Sequence, residues 1–171
     1  MGIRPARTIR DPDKVAWTRF SRKPRKSYVK VMPHPDLHQF RMGTDKPDFD
    51  LTVHLVSKQD IIVRDNALES ARQSANKHLE KVLGPAGYFM FLRSYPHHIT
   101  RENKMIAGAG ADRLQKGMRH SFGRPTDRAA RIYKNKIVFT VRTYKGNIDA
   151  VNVAMERAMK KLSGKYKVVV A

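Results

Sequence analysis

One pattern occurs twice in this chain of 171 residues, and it limits the fold more than any single motif does. In "DLTVHLVSKQ" (50–59), Leu51, Val53 and Leu55 alternate with Thr52 and His54, the period of a strand with one buried face. "DNALESARQSANKHLEKVLG" (65–84) follows. Leu68, Ala71, Ala75, Leu79 and Val82 recur there at helical spacing on one face. Asn66 and Glu69 fit a capping box at its start, and Gly84 followed by Pro85 is a stop signal. "GYFMFLR" (87–93) is a short apolar run that reads as a buried strand.

The same order returns near the C-terminus. "KIVFTVRTY" (136–144) reads as a strand and "NIDAVNVAMERAMKKL" (147–162) as a helix capped by Asn147. Ile148, Val151, Met155, Ala158 and Leu162 share one face of it, Gly164 ends it, and "KYKVVVA" reads as a last strand. Two such units let both helices cover one sheet. The expected class is α+β, a two-layer sandwich of two helices on a mostly antiparallel sheet. Similar architecture is all the two units share, because their sequence identity is negligible.

What lies outside the units is different in kind. Residues 1–47 hold six of the nine prolines and no sustained period. They read as an extended basic arm, too poor in apolar surface to offset its own ordering entropy, and expected to order only against a partner. Residues 94–135 show little helical or strand period, and structureless segments longer than roughly 12–15 residues are usually functional or disordered. The organisation expected is an arm, 1–47, and one α+β domain, 48–171, with a functional loop, 94–135, between the two units.

Charge follows the same division. The chain carries 35 Lys and Arg against 15 Asp and Glu, a net of +20. Residues 1–47 carry +8, 94–135 carry +6 and 136–171 carry +6, while 48–93 are neutral. A field of that size attracts polyanions. Cysteine is absent, which removes disulfides, cysteine zinc sites and thiol nucleophiles together. No apolar run is long enough to span a membrane, the N-terminus lacks the apolar stretch of a secretory signal, and Ala6 stands where a myristoylation motif wants Ser or Thr.

"NKMIAGAGADRLQKGMRHSFGRP" (103–125) concentrates the loop chemistry. Gly108, Gly110, Gly117 and Gly123 allow close backbone approach to a phosphate. Arg101, Lys104, Arg113, Lys116, Arg119 and Arg124 supply charge, and arginine adds bidentate phosphate contacts and stacking on bases. Met105, Ile106, Leu114, Met118 and Phe122 can pack on ribose and unstacked bases or anchor the loop to the domain. In the arm, Arg4, Arg7, Arg10, Arg19, Arg22, Lys23, Arg25 and Lys26 are candidate phosphate contacts, with Trp17, Phe20 and Tyr28 interleaved. Those aromatics suit stacking on bases and packing on their own domain equally.

Rival chemistries are weaker. Gly108-Ala109-Gly110 lacks the third glycine of a dinucleotide fingerprint, since residue 113 is Arg, and no Gly-Lys-Ser/Thr occurs. His34 and His38 are flanked by Pro33 and Pro35, so a helical metal pair is not expected. His97 and His98 are adjacent, and adjacent side chains of an extended chain point apart. Arg157, Lys160 and Lys161 fit the dipole of a last helical turn. Nothing in the sequence calls for a metal or a cofactor. An RNA-processing enzyme using His97, His98 or His120 and a free-standing RNA chaperone are the alternative classes.

"MGIRPAR" at the start, "ALESAR" with "ANK" in the first helix, and the loop run from "NKM" through "AGADRLQ" and "GMR" together resemble a known family. It is the large-subunit ribosomal protein family of the L-ten-e type in archaea and eukaryotes, counterpart of the bacterial L-sixteen protein. The resemblance covers nearly the whole chain; the cysteines and the longer tail of eukaryotic members are missing, as in the archaeal form. It implies a non-enzymatic α+β protein of the ribosome, in the cytoplasm, bound to large-subunit ribosomal RNA below the central protuberance. It implies a loop pointing towards the peptidyl transferase centre and the tRNA acceptor ends. Carried onto this chain, the tRNA-facing residues are Arg101, Asn103, Lys104, Met105, Gly110, Asp112 and Arg113, with Leu114 to Pro125 as the return limb. Neighbouring ribosomal proteins and transient assembly factors are the further partners implied.

Overall fold

In a computed structural model of the chain, residues 3–19, 21, 23, 25, 27–104, 108 and 122–171 are described. The elements in order are β1 (Arg41–Gly43), β2 (Leu51–Ser57), β3 (Ile61–Arg64), α1 (Asp65–Leu83), β4 (Tyr88–Leu92), β5 (His98–Glu102), β6 (Arg124–Ile132), β7 (Ile137–Thr143), α2 (Ile148–Met159) and β8 (Tyr166–Val170). Every strand pairing between them is antiparallel. The α+β class read from the two repeated units is the class observed.

The strands form two sheets rather than one. Five run in the order β1-β4-β7-β2-β8, and three in the order β3-β6-β5. The larger sheet is built as the alternation demands. Val53 stands opposite Val141 and Leu55 opposite Phe139, and all four are fully buried. On β4, Tyr88, Met90 and Leu92 point inward between half-buried Phe89 and Phe91. Both helices lay their apolar stripes on this layer: Leu68, Ala71, Ala75 and Leu79 of α1, and Val151, Ala154, Met155 and Ala158 of α2. α1 also touches β3 and β6, so one helix packs against both sheets. Ile61, Val63, Ala130 and Ile132 of the smaller sheet join the same core.

The predicted helix starts are correct in place and wrong in chemistry. β3 runs directly into α1, so Arg64, in extended backbone, occupies the cap position and Asn66 already lies inside the helix. No capping box forms. Asp65 accepts instead from the backbone N–H of Asn66 at 2.9 Å and of Asp36 at 3.0 Å, which ties the N-terminal segment to the helix. Glu69 pairs with Arg72 and Gln73. Asn147 precedes α2 but donates its side chain to Thr143 rather than capping. Gly84 ends α1 with φ near 70°, a conformation that favours glycine.

Two expectations drawn from weak periodicity fail. Residues 94–135 hold β5 and β6, whose register sets His98 opposite Ala129 and Glu102 opposite Arg124. Charged side chains such as Arg101, Glu102, Arg124 and Asp127 interrupt the apolar alternation, so the period is masked in the sequence. The arm does not wait for a partner to dock. Ile62 N–H donates to the Arg10 carbonyl at 2.8 Å, Arg131 to the Pro12 carbonyl at 2.7 Å and Arg128 to the Pro33 carbonyl at 2.7 Å. Val29, Leu37 and Met42 are buried, and β1 pairs with β4. A few apolar anchors and carbonyls captured by the domain's own arginines are enough.

Truncation of Leu55, which is fully buried on the strand between β7 and β8, should cost about 2–5 kcal/mol in Leu55→Ala. Urea unfolding followed by circular dichroism measures it, and a loss well below that range would mean that β2 is not the core strand.

Candidate nucleic-acid interface

The small sheet is where the cationic segments converge. Thr18 hydroxyl donates to the Ile99 carbonyl at 2.6 Å, Ile99 N–H donates to the Thr18 carbonyl at 2.7 Å, and Arg19 bridges to His98. The arm therefore runs along the outer edge of β5. Arg131 of β6 lies over the Trp17 ring, 4.9 Å from its centroid, and fixes the indole. Trp17, Arg19, Arg25 and Tyr28 together line a hollow of about 410 Å³. Trp17 and Tyr28 remain 42% and 66% exposed, so two aromatic faces and two guanidinium groups stand open to a ligand.

The loop leaves from the far end of the same strands. Arg101, at the end of β5, stacks its guanidinium on the Phe122 ring at 3.8 Å and donates to the Phe122 carbonyl at 2.9 Å. This contact closes the root of the loop. Burial pulls the Arg101 pKa below the usual arginine value. Gly123 has φ near 79°, and a Cβ there would lie 2.7 Å from the Glu102 carbonyl carbon, so the return limb passes too close to β5 for any side chain. Arg4 pairs with Glu102 at 2.5 Å and brings the start of the arm to this root.

Of the candidate phosphate contacts, Arg4, Arg7, Arg10, Lys23, Arg25 and Arg124 are exposed and Arg19 is half-buried. Asn103 is half-buried and Lys104 exposed beyond the end of β5. Arg22, Lys26, Met105, Gly110, Asp112, Arg113, Lys116 and Arg119 lie outside the described residues, as do Phe20, Ile106, Leu114, Gly117, Met118 and His120.

The histidines do not form a reaction centre among the described residues. His98 is 1% exposed, and its Nδ1 accepts from the Thr18 N–H at 3.3 Å. Burial, then the nearby Arg131 and Arg101 charges, push its pKa down to about 4, so it stays neutral in a neutral solution. His97 packs against Tyr95, and His34 against His38 with centroids 5.5 Å apart. Among the described residues, no cluster of three or more His, Asp or Glu side chains is placed to hold a metal.

One basic surface was missed as a unit. Arg157, Lys160 and Lys161 at the end of α2 share a groove of about 530 Å³ with Ser74, Lys77, His78 and Lys81 of α1. Lys77 and Lys81 stand four apart in the sequence, a spacing that could have placed them on one face. Their meeting with α2 is a matter of helix packing.

Comparison with known proteins decides which family uses this arrangement. The family described as ribosomal protein L16p/L10e matches residues 17–169. The chain belongs to that family. A relative named large ribosomal subunit protein uL16 from Staphylothermus marinus is 44% identical over 164 residues, 95% of this chain and 90% of its own length. Those of the same name from Methanococcus maripaludis strain C7 and Thermofilum pendens are each 41% identical over 170 residues, covering 99% of this chain and 95% and 98% of their own lengths. The match begins at Trp17, so it includes the stacking hollow and both strands that carry the loop. Ribosomal proteins of this family are structural and non-enzymatic, in keeping with a buried, neutral His98.

The depressed His98 pKa has a definite sign. The folded protein keeps the ring neutral while the unfolded chain takes up a proton below its ordinary value near 6.5. Its stabilising contribution is complete above that pH and is lost as pH falls towards about 4. In His98→Gln the urea midpoint should fall less steeply across this window than in the wild type. Identical slopes in paired titrations would remove His98 from the acid response.

Proposed function

We infer that the chain is an RNA-binding structural constituent of the large ribosomal subunit, held on ribosomal RNA beside other ribosomal proteins. The observation that carries this reading is the convergence of the arm and loop root on one small sheet, with arginine and aromatic side chains left exposed there. The family match and the names of its relatives support the assignment to the large subunit. Phosphates would be met by Arg4, Arg7, Arg10, Arg19, Arg22, Lys23, Arg25, Lys26, Lys116, Arg119 and Arg124, and a base would stack in the hollow of Trp17 and Tyr28.

The finer placement is part of the same proposal. The segment from Arg101 to Arg113 extends towards the tRNA acceptor ends near the peptidyl transferase centre, and late assembly factors act on it. The closed root at Arg101, Phe122 and Gly123 supports this, because it holds the two ends of the segment together at one end of the small sheet. The arm, 1–47, and the segment between β5 and β6 are on this reading the two functional extensions of the domain.

Binding by phosphate contacts carries a salt signature. If six to ten phosphates are neutralised, affinity of the purified protein for large-subunit RNA should fall by roughly 10³–10⁵ between about 50 and 200 mM salt. Filter binding measures it, and a flat response would count against the whole reading. Deletion of 104–112 should leave incorporation into subunits intact while slowing their maturation or their translation. Sucrose-gradient profiles of complemented cells read this, and complete loss of incorporation would make the tip an assembly anchor instead.

A further inference from the structure

The root of the loop contains more than a clamp. A pocket of about 350 Å³ opens between the arm and the small sheet. Ile3, Arg4, Thr8 and Ile9 line it from the arm, Arg64 from the end of β3, Thr100, Arg101, Glu102 and Lys104 from β5 and beyond, and Thr126 and Asp127 from β6. Four cationic side chains face two carboxylates, so the lining is net positive.

Two of those cations are held ready and incompletely satisfied. Arg64 is 9% exposed, and its buried Nε–H meets no partner among the described residues. The Arg101 Nε is buried and equally unmet, although the rest of its guanidinium is fixed by Phe122. A buried guanidinium N–H without an acceptor costs free energy, and buried donors of this kind are normally paired. Glu102 does not meet the need, because it is engaged by Arg4. The geometry is that of an anion socket: rigid forked donors, a positive lining and an apolar wall from Ile3 and Ile9. The volume is at the low end for small-ligand pockets and suits a phosphate with part of its sugar.

We propose that this pocket is a phosphate-binding socket in which Arg64 and Arg101 hold the phosphate of one nucleotide of the bound RNA. The proposal rests on the RNA-binding reading and deepens it, since it fixes one phosphate at the base of the loop. Occupation would place an anion beside the guanidinium groups of Arg64 and Arg101 and lock the arm, β3 and the loop root into one unit. A free nucleotide offers the same chemistry, and the test separates the two sources.

The experiment observes the arginine Nε–H signals of the purified, ¹⁵N-labelled full chain by two-dimensional NMR. Arg64→Gln and Arg101→Gln assign the two buried signals, and circular dichroism checks that each variant is folded. Millimolar inorganic phosphate, adenosine monophosphate and a short RNA without a terminal phosphate are added separately. Saturable movement of both signals with phosphate and with the RNA is the expected result. In parallel, Arg64→Gln should bind large-subunit RNA more weakly, with the salt slope reduced by about one. Movement with phosphate and adenosine monophosphate but not with RNA would overturn the assignment to RNA and give the pocket to a free nucleotide. No movement with any probe, while wild-type RNA binding remains salt-dependent, would overturn the socket and leave the RNA reading standing. A flat salt response in the wild type would remove that reading itself.

Discussion

Everything directional in this protein depends on how α1 is buried. Its stripe of Leu68, Ala71, Ala75 and Leu79 rests on the larger sheet beside α2, and the same helix contacts β3 and β6. Alanine at two of the four positions lets the backbones approach closely, so the small sheet cannot shift without opening the core. β3 passes into α1 with no intervening loop, which couples the sheet to the helix at Arg64 and Asp65. The loop root at the far end of β5 and β6 therefore inherits its position from a hydrophobic contact some distance away.

On that foundation the charge is divided in a useful way. The nearly neutral span from 48 to 93 supplies β2, α1 and β4, where repulsion would oppose folding most. The excess positive charge sits on the arm, the loop and the surface of the C-terminal unit. A net +20 cannot be relieved within the molecule, because internal ion pairs leave net charge unchanged; among the described residues they join Arg4 with Glu102, Lys14 with Asp11, Arg72 with Glu69, Lys104 with Glu102 and Arg142 with Asp45. Among the described residues most Lys and Arg side chains form no such ion pair, which suits a protein whose family works inside a ribonucleoprotein particle. Arm and domain still recognise each other without that polyanion, through carbonyls captured by Arg128 and Arg131 and through the Thr18 contacts with β5.

Buried polar groups mark where the design is stretched. Neutral His98 accepts from the arm and stands near the Arg131 and Arg101 charges, which its low pKa accommodates. Arg64 and Arg101 retain unmet donors around a positive pocket. Natural proteins rarely leave such groups unsatisfied without a cause, such as strain, an ordered water or ion, or a functional role. Both features sit between arm and small sheet.

Periodicity and charge along the chain settle those parts of the protein that rest on near neighbours. Leu51, Val53 and Leu55 announced β2, the spacing of Leu68 to Leu79 announced α1, and the basic flanks announced a polyanion; the loop's long motif carried the resemblance to its family. These are legible because each depends on neighbours along the chain. Tertiary contacts settled that the strands divide into two sheets, that 94–135 contains β5 and β6, and that the arm docks. It also decided that Arg64 meets Arg101 at one pocket and that Lys77 faces Arg157 across a groove. Those outcomes depend on contacts between distant residues, such as Arg4 with Glu102 and Thr18 with Ile99, and on alternation that charged side chains conceal. No local pattern encodes such pairings, because their free energy appears only when the core has brought the segments together.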